Sequence, residues 1–275
     1  MSNNEQEMKN AETKKPLGPP KSTAREYFES FVVTLVMAIF GMTFVLQAVT
    51  VPTGSMQNTI LIGDYLLVNK FIFAPGGKPI PFLPQREIER GDIIVFKYPG
   101  NKVDPREDIA LGVKAYRENY VKRVIGLPGE TIEFRGNQVF INGELLPEHV
   151  NITLDERTES EMPLKDTAPL QPDEKYSVYY SERSTETVRR GQDVGRGFNF
   201  GVKGKPMKIP DDMYFAMGDN RDNSGDSRVW GFVHRDLVIG RAMFVYWSCD
   251  RGASGGSMFG CITNPRLDRI GKMIK

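Results

Sequence analysis

From Phe31 to Val51 the chain reads FVVTLVMAIFGMTFVLQAVTV, twenty-one residues without a charge. No charged side chain occurs between Glu29 and Asp64. As a helix at ~1.5 Å per residue the run would span roughly 31 Å, the thickness of a bilayer's hydrocarbon core. A single transmembrane helix over residues 31–51 is therefore expected. A buried helix of a soluble core would not stay free of charge over such a stretch. A cleavable signal peptide would have a shorter lead, a shorter apolar run and an A-x-A site after it.

Residues 1–30 are polar and charged, with a Pro- and Gly-containing stretch from Lys14 to Lys21, and read as a disordered lead. Lys9, Lys14, Lys15, Lys21 and Arg25 precede the span, whereas Lys70 alone follows within twenty residues. The positive-inside rule then keeps the lead in the cytoplasm and sends residues 52–275 to the outer side. No second apolar run of comparable length occurs, so a single-pass anchor in the lipid bilayer is expected.

Beyond the span the pattern is short apolar runs between turn signals. Strands are expected at 64–73, 91–99, 120–126, 131–136, 137–143, 213–219 and 242–247. Pro128-Gly129 suits a type II turn, and Asn142-Gly143 is a two-residue hairpin signal. With 27 Gly and 18 Pro the chain reads as mainly β. Residues 52–130 and 210–275 are expected to form one β body, with 131–209 a smaller, more polar β lobe inserted into it.

The 36 Lys and Arg nearly balance 35 Asp and Glu, which gives no ground for a nucleic-acid partner. His149, His234, Cys249 and Cys261 stand singly, not at zinc-ligand spacing. A Cys249–Cys261 disulfide and two unpaired thiols are both open.

Four segments carry more polar chemistry than a plain β core needs. Pro52-Thr53-Gly54-Ser55-Met56 begins where the apolar run ends, so Ser55 is expected within ~13 Å of the membrane surface. By itself, a Ser beside a Gly is a turn. In the strand Tyr120–Gly126, Lys122 shares a face with Tyr120 and Val124, while Arg123 points the other way. Burial among apolar neighbours would lower the lysine pKa and make it a general base. The duller reading is a lysine guarding an edge strand.

The block Gly218 to Arg228, GDNRDNSGDSR, invites comparison with a calcium loop, but position twelve would be Gly231 where an EF-hand has Glu. It also suits a buried turn fixed by Asp–Arg pairs. Gly63-Asp64 with Val68-Asn69-Lys70 reads as structural. Serine catalysis needs a base and oxyanion donors. Neither histidine sits in a triad-like setting, so the lysine route fits the available residues better.

The order P-T-G-S-M, G-D-x-x-x-V-N-K, Y-V-K-R-V-I-G-L-P-G and G-D-N-R-D-N-S-G-D-S-R-x-W-G resembles bacterial type I signal peptidase, or leader peptidase. The resemblance runs from the anchor to about residue 247, weakest over the inserted lobe. It implies a membrane-bound serine endopeptidase without cofactor or metal, with Ser55 as nucleophile and Lys122 as base. It also implies that Ser224 orients the lysine and that Thr53 joins the Ser55 N–H in an oxyanion hole. Asp219 and Asp226 would support the site, paired with Arg123 and Arg228. The substrates would be exported preproteins, with small residues one and three positions before the cut. The enzyme would act on the outer face of the cytoplasmic membrane, near the export translocon.

Three positions depart from the family pattern. Gln57-Asn58 stand where a proline is usual, Thr53 where many relatives have Ser, and Glu130 where Asp is usual. Asn58 is expected to loosen the loop after the nucleophile. Two rival readings remain: a non-catalytic anchored periplasmic β protein, such as a chaperone or assembly factor, and a hydrolase using His234, Asp219 or Asp222.

Overall fold

Ser22 starts the first helix, α1 (Thr23–Phe40), its hydroxyl accepting the Arg25 N–H. A computed structural model provides this view and describes residues 22–74, 78–154, 160–192, 198–250 and 258–275. An Arg25–Glu29 ion pair of 2.9 Å supports the first turns. The helix runs on through a π-helical stretch, Gly41–Val45, and none of its residues is buried. Thr23–Val45 is the one helix among the described residues that is long and apolar enough to cross a membrane. The chain divides into a unit ending at Met42 and a second unit, Thr43–Lys275.

This differs from the expected span at both ends. The lead was expected to run to residue 30, but its last eight residues are helical, capped by Ser22 and tied by the Arg25–Glu29 pair. The rest of the lead lies outside the described residues. At the other end, Leu46–Thr50 is a strand, β1, although composition makes it look continuous with the helix. Val49 and Val51 alternate into a core while Thr50 stays exposed, the period of two that a half-buried strand requires. Ten residues separate Val45 from Ser55, so the tether expected to limit Ser55 to ~13 Å allows up to about 33 Å.

β1 pairs antiparallel with β2 (Asp64–Asn69). The chain then forms β3 (Ile93–Lys97), a short helix α2 (Pro105–Leu111) and β4 (Asn119–Gly126). Next come β5 (Thr131–Arg135), β6 (Gln138–Ile141) and β7 (Glu144–Leu145). Asn142 and Gly143 join the last two with φ of 53° and 86°, both left-handed as a type I′ turn requires. β8 (His149–Thr153), β9 (Leu164–Thr167), β10 (Ser177–Ser181), α3 (Glu182–Arg189) and β11 (Met207–Lys208) follow. The chain closes with β12 (Met213–Met217), α4 (Ser227–Trp230), β13 (Val233–His234) and β14 (Val238–Ser248). A last short helix, α5 (Met258–Thr263), precedes the tail.

The main sheet has seven strands in the order β1-β2-β14-β3-β4-β12-β13. Every strand from Thr131 to Lys208 lies outside it, in the sheets β11-β5-β6-β7 and β10-β8-β9. These small sheets bury Ile132, Phe134, Val178 and Ile209 in one cluster with Ile125, Phe215 and Met217 of the main sheet. The stretch looks polar because its apolar residues come singly among charges, yet they converge. Central strand β3 is buried on both faces: Ile93 and Val95 join one cluster, Ile94 and Phe96 another.

Cys249, just past β14, is bridged to Cys261, which decides between the two readings left open above. Beyond the bridge the tail packs back along β14, its Ile274 buried in the first cluster. Arg269 and Asp64 form a fully buried pair there.

Candidate active site

Thr53 has extended φ and ψ of −130° and 152°, and the chain then tightens into a 3₁₀ turn, Gly54–Met56. Buried Met56 pins the turn to the core, leaving Ser55 half-buried and Thr53 exposed. The first N–H groups of such a turn have no partner inside it. Among the described residues no acceptor takes the Ser55 N–H, and the Thr53 hydroxyl makes no capping bond. Asn220 grips the turn from outside, donating its main-chain N–H to Ser55 O at 3.2 Å and its side-chain Nδ2 to Gly54 O at 3.1 Å.

Lys122 Nζ lies 2.5 Å from Ser55 Oγ. The lysine sits opposite Ile94 in the β3–β4 register, and Tyr120 and Val124 flank it along the strand. Because β4 lies between β3 and β12, the edge-strand reading of this lysine fails. Only 4% of Lys122 is exposed. Burial lowers its pKa to about 8, outweighing the nearby Asp226 carboxylate, which acts to raise it.

Two buried ion pairs hold the surroundings. Arg123 binds Asp219 through two hydrogen bonds of 2.8 and 2.7 Å, and Thr59 Oγ1 donates to the same carboxylate at 2.7 Å. Arg228 binds Asp226 through two of 2.8 Å each, and the Gly218 N–H adds a third at 3.1 Å. Burial alone would raise the Asp226 carboxyl, but Arg228 holds it below the usual carboxylate range. Ser224 Oγ is buried without a well-formed hydrogen bond, close enough to Asp226 to help keep it ionised. No hydrogen bond joins it to Lys122.

Gly218, the residue after Met217 in β12, has a role that the sequence does not announce. A Cβ placed there would lie 2.3 Å from both Ser55 O and Ser224 Oγ. The close approach of three segments at this point therefore needs glycine. Asn58, expected to loosen the loop, does the reverse, and Gln57 beside it also ties the loop down. Gln57 Nε2 donates to Ser160 O at 2.6 Å, and Asn58 exchanges two hydrogen bonds with the Met162 main chain, at 3.1 and 2.7 Å. Asn58 reaches that geometry in the left-handed region, at φ 72°.

Ser55 and Lys122 open into a cleft of about 590 Å³, walled by Thr50–Met56, Leu111–Val113 and Glu118–Tyr120. Val121, Asn223 and Gly225 complete its lining. Neither histidine lines it: His149 Nδ1 lies 3.1 Å from Glu174, and His234 caps the Arg235–Leu237 turn. The carboxylates of the 218–228 block are likewise engaged, Asp219 and Asp226 with arginines and Asp222 with Ser181. A half-buried hydroxyl beside a buried amine of lowered pKa can carry out acyl transfer without histidine.

Comparison with known proteins shows similarity to signal peptidases. The family described as signal peptidase, peptidase S26, matches residues 24–247. The probable signal peptidase I-2 of a Synechocystis strain is 30% identical over 239 residues, covering 87% of this chain and 80% of that protein. The signal peptidase I of Pseudomonas fluorescens is 31% identical over 239 residues, covering 81% of this chain and 72% of that protein. A solved signal peptidase I from Enterococcus faecalis V583 is 25% identical and covers 57% of this chain and 97% of that one. Its TM-score of 0.28 is too low to bear on the fold.

Proposed function

The chain belongs to the signal peptidase family, peptidase S26, and we propose that this serine endopeptidase removes signal peptides with a Ser55–Lys122 dyad on the outer face of the cytoplasmic membrane. The observation that carries the dyad is the 2.5 Å approach of Lys122 Nζ to Ser55 Oγ, made by a buried amine whose pKa is lowered to about 8.

Neutral Lys122 takes the Ser55 proton as Oγ attacks the scissile carbonyl carbon. The resulting oxyanion is met by the Ser55 N–H and the Thr53 hydroxyl, for which no hydrogen-bond partner occurs among the described residues. Collapse of the tetrahedral species expels the amine of the mature protein, which takes the proton from the lysine ammonium. That leaves the signal peptide esterified to Ser55. Lys122 then draws a proton from water, hydroxide attacks the ester, and the proton returns to Ser55 Oγ. Asp219, Arg123, Asp226 and Arg228 act as supports, and Ser224, whose buried Oγ makes no hydrogen bond to Lys122 at rest, turns to accept one from it during turnover and so orients the amine.

Two features support the outward orientation. The cationic residues flanking the helix favour a cytoplasmic N-terminus. The Cys249–Cys261 bridge fits an oxidising compartment. In that setting the bilayer holds the anchor, and signal-peptide-bearing preproteins meet the enzyme as they leave the translocon.

The deciding experiment is cleavage of a purified preprotein by wild type, Ser55→Ala and Lys122→Ala, with N-terminal sequencing of the product. Wild type should yield one mature N-terminus, and both variants should leave the preprotein intact. Cleavage by Ser55→Ala would sink the reading.

A further inference from the structure

The main-sheet strands β3 and β4 are antiparallel neighbours that a two-residue turn could join. Instead the chain makes a long excursion from Pro99 to Arg117 that carries α2. The excursion is anchored by half-buried polar contacts. Asp108 accepts the Tyr98 hydroxyl at 2.7 Å and the Asn101 N–H at 2.8 Å, while its own carbonyl accepts Val113 N–H at 2.9 Å. Tyr98 is buried and stacks on Tyr120 with ring centroids 4.5 Å apart, so the anchor reaches the strand that carries Lys122. Burial and Asp108 together push the Tyr98 phenol up, which keeps it a donor.

This anchoring fixes what the end of α2 presents. Gly112 ends the helix in the left-handed conformation, φ 67°, and turns Leu111, Gly112 and Val113 into the lining of the Ser55 cleft. Leu111 is 69% exposed, although it sits on a braced element. A large apolar side chain held open in this way loses its contact with water only when something fills the cleft. Because Ser55 and Lys122 line the same cleft, the occupant is the substrate chain.

We propose that the Pro99–Arg117 excursion is a specificity wall, in which Leu111 packs against an apolar side chain of the preprotein next to the scissile bond. This rests on the catalytic reading above and adds to it a preference that the dyad itself cannot supply. Asp108 acts as a positioning residue that holds the wall in place.

The test is steady-state kinetics of wild type, Leu111→Ser and Asp108→Asn on a preprotein panel. In the panel each apolar residue flanking the cut is replaced by Ser, one position at a time. Leu111→Ser should raise KM for the parent preprotein about threefold to tenfold, with a smaller effect on kcat. The loss should vanish for the panel member that already lacks the matching side chain. Asp108→Asn should reproduce the same substrate dependence. Thermal melts check folding, which the exposure of Leu111 favours. Equal kcat/KM for wild type and Leu111→Ser across the panel, or a uniform loss on every member, overturns the wall. Ser55→Ala in the same assay reports on the dyad separately. If it cleaves, both proposals fall; if it is inactive while Leu111→Ser matches wild type, only the wall falls.

Discussion

Lys122 Nζ and Ser55 Oγ meet at 2.5 Å across 67 residues of sequence, and the fold brings them together at the expense of burying an amine. A lysine in water carries its proton at neutral pH and cannot accept another. Here the burial that costs stability is what brings the pKa to about 8. The contact alone would be an ordinary hydrogen bond; joined to a lowered pKa it is what the proposed base and nucleophile require.

Ser55→Ala and Lys122→Ala are each expected to lower kcat/KM on a preprotein by about a thousandfold or more, the scale seen when one member of a catalytic pair is removed. Lys122→Arg should be as inactive as Lys122→Ala, since a guanidinium stays protonated. Initial rates of preprotein cleavage measure all three. An arginine variant within tenfold of wild type would mean that the residue supplies charge rather than a base.

Activity should rise with pH. If neutral Lys122 is the reactive form, kcat/KM should climb about tenfold per pH unit below the lysine pKa and flatten above about 8. Stability should follow the same sign. Between about 8 and the unfolded value near 10.4 the unfolded chain binds a proton that the native lysine lacks, so this contribution rises with pH across that window. Below it the full cost of the buried charge remains. Lys122→Met should therefore melt higher than wild type at pH 7 while losing activity. A variant that melts lower there would argue against a costly buried ammonium.

The proposed dyad was legible only through the order of its blocks. Taken singly, Lys122 reads as an edge lysine, and only its place between β3 and β12 removes that reading. Asn220 was hidden because its acceptors are the carbonyls of Gly54 and Ser55, and main-chain atoms leave no mark in a residue pattern. Asn58 misled for a related reason, since its partner at Met162 lies more than a hundred residues away. β1 merged with the apolar run because a five-residue apolar strand and the end of a helix share a composition. The strands with clean alternation and flanking turns, such as β2 and β6, were the readable ones.

Asp219→Ala leaves the Arg123 guanidinium buried, with one carboxylate gone and Thr59 deprived of its acceptor. Breaking a buried pair from one side costs about 3–5 kcal/mol. The variant should show a lower urea midpoint with an unchanged m-value. Because Arg123 follows Lys122 directly on β4, cleavage should fall as well. Replacing both partners by apolar residues should recover part of the stability but not the activity. If Asp219→Ala unfolds at the wild-type midpoint, the pair contributes nothing to the fold.

Gly218 and Asn220 bear on the turn that carries Ser55 in opposite ways, one by leaving space and the other by holding on. A methyl group at Gly218 would sit 2.3 Å from Ser55 O and 2.3 Å from Ser224 Oγ, and the first of these is main chain, which cannot swing aside. Gly218→Ala should therefore push the turn away from Lys122 and lower kcat by about a hundredfold, since a displacement of ~1 Å at reacting groups costs that much. Asn220→Ala adds no bulk and removes only two hydrogen bonds, so it should lower kcat by about tenfold. In both variants KM should move less than kcat, because the cleft walls at Leu111–Val113 are untouched. Single-turnover acylation rates with purified preprotein separate these cases. If Gly218→Ala acylates at the wild-type rate, the turn is not held by close packing at this point.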